Sequence, residues 1–168
     1  MGIADKFELG VGDIFDSNLE LPEKVDGVLI TFTLSTFISN YDMLEELFTN
    51  IKKMVKPDGY VLVTDFQYVE IPKDNFWAGM YTRHSARKPP GDFGCFDFII
   101  DKSPDTSYSI INVPVHLMVK AAQVAGFQDI SLKAHYPNPE IKNHPVVRRY
   151  LDDCKPNDYL LKLKLMNN

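Results

Sequence analysis

Cys95, Cys154, His84, His116, His135 and His144 are the soft and imidazole groups that this 168-residue chain could offer a metal or a redox couple. The cysteines stand far apart with no companion at ligand or redox spacing, and the histidines are too dispersed for a helical metal signature. Free buried thiols are therefore expected, and His116, just behind Pro114, belongs at a helix start or on the surface. Asp92-Phe93-Gly94 spells the metal-binding triplet of protein kinases, but no catalytic-loop sequence or strand lysine accompanies it, so a turn with a buried phenylalanine is expected. No serine sits in a nucleophile elbow. Gly10-Val11-Gly12 ends a strand-like stretch with no helix behind it, whereas a phosphate or cofactor cradle needs the amides of a following helix. Arg83, Arg87 and Lys88, flanked by Pro89, Pro90 and Gly91, read as a solvated loop. With a net charge of -5 and no dense basic run, neither a nucleic acid nor an anionic membrane is an expected partner. The chemistry left standing is aromatic with one imidazole: Trp77, Tyr81 and His84, inside a long irregular region. Inserts of that size usually carry function or are disordered.

The elements that must hold such groups follow from periodicity. Val25 to Leu34 (VDGVLITFTL) is an almost unbroken apolar, β-branched run, the pattern of a central parallel strand covered on both faces. Ser39, Asn40 and Asp42 offer cap oxygens to a helix whose Leu44, Leu47, Phe48, Ile51 and Val55 recur at helical spacing, with Lys52, Lys53 and Lys56 at its far end. Pro57-Asp58-Gly59 stops it, and Tyr60 to Thr64 is a second buried strand, completing a βαβ unit. Residues 66–113 form an insert or lid, with a short hairpin around Cys95 to Ile111. A second helix runs from Pro114 to Ala125 with Gly126 just past its end. Phe127 to His135 and Tyr159 to Met166 alternate, which predicts an antiparallel pair at a sheet edge; Pro145 to Cys154 could form a short helix between them, and Phe7 to Val11 a short strand before everything else. At 45% apolar and 12% aromatic the chain has material for one core and one domain. No secretory or membrane-spanning run is visible, and the unpaired cysteines favour a reducing compartment, so a cytoplasmic protein is expected.

Taken in order, several segments resemble the motifs of the class I, Rossmann-like S-adenosylmethionine-dependent methyltransferases. MGIADKFELGVGDIFD is similar to that family's second helix end and third strand, VDGVLITFTLS to its fourth strand, and YDMLEELFTNIKKMVKPDGYVLVTDF to the helix, turn and fifth strand that follow. AAQVAGFQDI resembles the helix, Gly-Phe turn and sixth strand, and Tyr159 to Met166 the seventh. The fold class implied is α/β: an incomplete Rossmann-like methyltransferase sheet, parallel strands with a terminal antiparallel pair. The resemblance puts Asp13 where the family's acidic residue meets adenine, its carboxylate accepting the amino hydrogen while the Ile14 N–H meets a ring nitrogen. The same Gly12-Asp13 pair could equally be a turn closed by an Asx bond. Thr31, Phe32, Thr33 and Leu34 fall where the fourth strand lines the cofactor pocket, with packing the better reading for Phe32 and Leu34.

The family's first strand, its glycine-rich loop and the acidic end of its second strand have no counterpart in this sequence. Two or three lost polar contacts, at roughly 1.5 to 3 kcal/mol each, would weaken cofactor binding by about a hundredfold or more, so weak or absent binding of S-adenosylmethionine by the chain alone is expected. The function implied is methyl transfer to a small-molecule acceptor, walled by Tyr68, Trp77, Tyr81 and His84, with the other half supplied elsewhere; the alternative is a non-catalytic interaction module. The bare, uncharged edge of Gly27 to Leu34 predicts a covering strand, from the relocated amino-terminal segment, from a second copy in a homo-oligomer or from another chain.

Overall fold

The computed structural model describes residues 10–66, 80–84, 93–100, 103–134 and 158–165. The first strand, β1 (Val25–Thr31), leads through a one-turn helix, α1 (Leu34–Phe37), to the long helix α2 (Tyr41–Met54) and then to β2 (Val55–Phe66). Three further strands, β3 (Met80–His84), β4 (Gly94–Ile100) and β5 (Ser103–Asn112), precede helix α3 (Val115–Ala125), and β6 (Phe127–Ala134) and β7 (Asp158–Leu165) follow it.

Local chemistry accounts for the two long helices. Asn40, extended at φ -155°, accepts the Met43 N–H at 3.0 Å through its side chain and caps α2. Gly126 ends α3 at φ +104°, a left-handed conformation that a glycine adopts without steric cost. The stripe Leu44, Leu47, Phe48 and Ile51 is buried to 1% exposure or less.

The main sheet has the order β1-β2-β7-β6. β1 and β2 run parallel, Val28 opposite Val61 and Thr31 opposite Thr64. β7 lies antiparallel to both β2 and β6, with Leu163 between Val61 and Ile130. These are the parallel pair and the terminal antiparallel pair that the sequence predicts. The register jumps from Val25–Val55 to Gly27–Tyr60, so Lys56 to Gly59 bulge out of the ladder, and Asp58 takes φ +62° there. The Pro57-Asp58-Gly59 turn is thus present, but as a bulge within β2. α2 and α3 cover one face of the sheet, to which β2 gives Val61 and Val63 and β7 gives Leu161, Leu163 and Leu165. Phe48 meets Phe127 edge to face at 6.1 Å, tying α2 to the start of β6.

Two expectations for β1 are corrected. Leu29 is 67% exposed, and Val28 and Ile30 are half-buried rather than buried, because among the described residues only the helical side covers the strand and nothing pairs its outer edge. The strand also stops at Thr31 instead of running on to Leu34: Phe32 turns into left-handed φ +49°, and α1, which periodicity does not announce, begins two residues later.

Among the described residues, 80–112 hold a second, three-stranded antiparallel sheet, β3-β4-β5, larger than the hairpin expected, with β5 beside α1. Arg83 accordingly lies on a strand, opposite Asp97, and not in a loop. Phe93 is half-buried against the main core, and His116 is exposed. Gly10 and Val11 have no regular structure. The rest of the expected first strand, and the helix expected near 145–154, lie outside the described residues.

Candidate functional site

At the carboxyl ends of β1 and β2 the chain leaves the parallel pair, the position where open α/β sheets gather ligands. The turn there is held at both ends by β2. The Phe32 N–H donates to the Thr64 carbonyl at 2.7 Å, and the Ser35 N–H donates to Asp65 Oδ2 at 3.0 Å. Between them Phe32 keeps φ +49°, which for a bulky side chain costs on the order of 1 to 3 kcal/mol and persists only where surrounding bonds impose it. Ser35 and Asp65 are both fully or almost fully buried. α1 is closed by Thr36 Oγ1 and N–H, which both donate to the Thr33 carbonyl, and by the Ile38 N–H to Leu34 O at 2.9 Å.

Facing this turn is the loop of residues 13–19. Asp13 Oδ1 accepts the Phe15 N–H at 2.9 Å and the Asp13 carbonyl accepts the Asp16 N–H at 3.0 Å, so the Asx-turn reading of Gly12-Asp13 holds. The carboxylate remains exposed. From α2, Asn50 Nδ2 donates to the Ile14 carbonyl at 2.9 Å, and Phe15 packs edge to face on Phe37 of α1 at 5.7 Å. Neither Gly10 nor Gly12 has a positive φ, and residues 13–24 behind them form turns and no helix.

Between the loop and the turn, along the outer edge of β1, lies a cavity of about 250 Å³ with Ile14 on one side, Thr31 and Thr33 on the other, and Phe37, Leu47 and Ile51 among its walls. It brings together four of the six residues expected at the cofactor, Ile14, Thr31, Thr33 and Leu34. Asp13 does not line it, being occupied with its own turn, and Phe32 does not either: its reversed backbone leaves the ring 44% exposed. A cavity of about 300 Å³ lies at the opposite end of the sheet, lined by Ser17, Glu20, Lys24 and Lys53, remote from the strands' carboxyl ends. Of the expected acceptor residues, Tyr81 and His84 lie on β3 opposite Ile99 and Phe96, while Tyr68 and Trp77 fall outside the described residues. Among the described residues no three His, Cys, Asp or Glu side chains gather as a metal site would require, and no helix is long and apolar enough to cross a membrane.

Sequence reasoning missed Asn50 and Asp65. Each interrupts an apolar pattern, Asn50 between Phe48 and Ile51 on the buried stripe of α2 and Asp65 at the end of a buried strand, and that interruption is the signal that could have found them.

A parallel β1-α2-β2 unit extended by the antiparallel β7-β6 pair is the fold of the class I S-adenosylmethionine-dependent methyltransferases. A structure assigned to such a methyltransferase of Listeria monocytogenes superposes with a TM-score of 0.62 at 18% identity, over 93% of this chain and 68% of that one. One from Clostridium acetobutylicum gives 0.56 at 12% identity, over 98% and 68%. The glycopeptide N-methyltransferase MtfA, complexed with S-adenosylhomocysteine, gives 0.55 at 13% identity, over 96% and 62%. No protein-family model matches the sequence, and no curated protein matches it.

Proposed function

We propose that the chain serves S-adenosylmethionine-dependent methyl transfer to a small-molecule acceptor, holding the cofactor's adenine end in the groove between the Ile14 loop and the β1-α1 turn. The observation that carries this is the convergence of Ile14, Thr31 and Thr33 on one cavity at the switch-point end of a methyltransferase sheet. Its apolar walls suit a purine face, the Ile14 N–H and the two threonine hydroxyls supply the polar edge, and the exposed Asp13 carboxylate, outside the lining but adjacent to Ile14, is the acceptor proposed for the purine's amino group at the cavity mouth. About 250 Å³ is at the small end for a whole ligand site, so the fit extends to the adenine portion; the described residues include no cradle for the amino-acid portion. When bound, the cofactor brings a methyl group already activated on a sulfonium. The chain's part is then alignment and exclusion of water, with the acceptor over the carboxyl ends of β1 and β2 beside the insert that carries Tyr68, Trp77, Tyr81 and His84.

Calorimetric titration with S-adenosylhomocysteine tests the reading. Asp13→Asn keeps an acceptor for the Phe15 N–H, and so the turn, but exchanges one carboxylate oxygen for an amide. It should weaken binding by about tenfold, the equivalent of one charge-assisted hydrogen bond. An unchanged affinity would remove Asp13 from the site.

A further inference from the structure

We propose that Asn50 and Asp65 are positioning residues, two buried polar side chains that hold the two walls of the groove from behind and set its width. They hold opposite sides. Asn50, 6% exposed, grips the loop through the Ile14 carbonyl; Asp65, fully buried, grips the β1-α1 turn through the Ser35 N–H. Both anchors sit on the rigid scaffold of α2 and β2, and both contacts span 30 or more residues of sequence, so neither is a local turn bond.

The chemistry of each anchor is directional. Lys53 Nζ lies 3.0 Å from Asn50 Oδ1, and an ammonium can only donate, so the amide oxygen must face Lys53 and its NH₂ must face Ile14. Asp65 presents Oδ2 as an acceptor, which matches the Ser35 N–H and leaves that amide bonded away from solvent. The neighbouring bond from the Phe32 N–H to Thr64 fixes the other end of the turn, so Thr64 and Asp65, adjacent in β2, together impose the reversed backbone of Phe32 and aim Thr33 at the cavity. Loss of either anchor should loosen one wall while the sheet stays intact. The link to ligand binding rests on the function proposed above; the holding of the walls does not.

Native-state amide hydrogen exchange on the full chain reads the anchors without any ligand. In Asp65→Ala the Ser35 amide should exchange at least about tenfold faster, with Val61 and Val63 unchanged. Asp65→Asn keeps the size and one acceptor oxygen but loses the charge, and should give a smaller acceleration at the same place. In Asn50→Ala the faster amides should be Phe15 and Asp16, and not Ser35. Equal acceleration at Val61 and Val63, or no change at Ser35 in either Asp65 variant, would overturn the proposal. Titration of the same proteins with S-adenosylhomocysteine separates the two readings: if the parent chain binds none, the cofactor assignment fails and the exchange data still decide the anchors. If it binds, Asp65→Ala should weaken binding about tenfold with Asp65→Asn partly restoring it, and affinity indifferent to both variants would contradict the positioning role.

Discussion

At Tyr41, on the first turn of α2, a phenol hydroxyl is buried with no hydrogen-bond partner among the described residues, while Lys120 Nζ stands 5.2 Å from the ring centre. Burial raises its pKa above the ordinary tyrosine value, and the neighbouring Glu45 carboxylate adds to the rise. A phenol whose folded pKa exceeds its unfolded one keeps its contribution to stability below the unfolded value of about 10 and loses it as pH climbs through the folded value. Urea unfolding should therefore show a loss of stability above pH about 10 that is smaller in Tyr41→Phe. At pH 7 the variant should be at least as stable as the parent. A clear loss at pH 7 would mean that the hydroxyl has a partner. At this scale the sequence showed residue types but not pairings. That Ile14, Thr31 and Thr33 would meet at one end of the sheet was legible from the order of the motifs, and the Asx bond of Asp13 from its Gly-Asp turn. Asn50 and Asp65 were not, because their partners lie 36 and 30 residues away and exist only once the elements have packed.

Helix α2 is the element whose packing is most fully specified, and Leu47 lies at its centre with 1% exposure. Leu47→Ala should cost about 2 to 5 kcal/mol in denaturant unfolding through the cavity it leaves. By contrast Leu29, on the face of β1 that no described residue covers, should tolerate lysine within about 0.5 kcal/mol. A large penalty for Leu29→Lys would show that this face is covered in solution. Helices α2 and α3 were readable because cap, stripe and stop agree within each: Asn40, the Leu44 to Ile51 stripe, Gly126. α1 was not, since its four residues depend on bonds to β2 that no local pattern encodes. The continuous apolar run of β1 led to the opposite error. β-Branched residues on both sides of a strand say that both sides can be buried, not that both are.

Over the whole molecule the order β1-β2-β7-β6 joins a parallel pair to an antiparallel one, within a fold shared with the methyltransferase structures on which the chain superposes. Topology was legible because each short motif came in family order. The three-stranded insert was legible only as a long interruption, its strands β3, β4 and β5 having no counterpart in the motif series. The site proposed above places the adenine end of a cofactor between the Ile14 loop and the β1-α1 turn. Amide chemical-shift mapping during titration with S-adenosylhomocysteine tests it most directly, because it still reports binding near a Kd of about 1 mM, equivalent to about 4 kcal/mol. Saturable shifts confined to residues 13–15 and 31–35 are expected; no shift at millimolar ligand, or shifts gathered instead around Glu20 and Lys24 at the opposite end of the sheet, would contradict that placement.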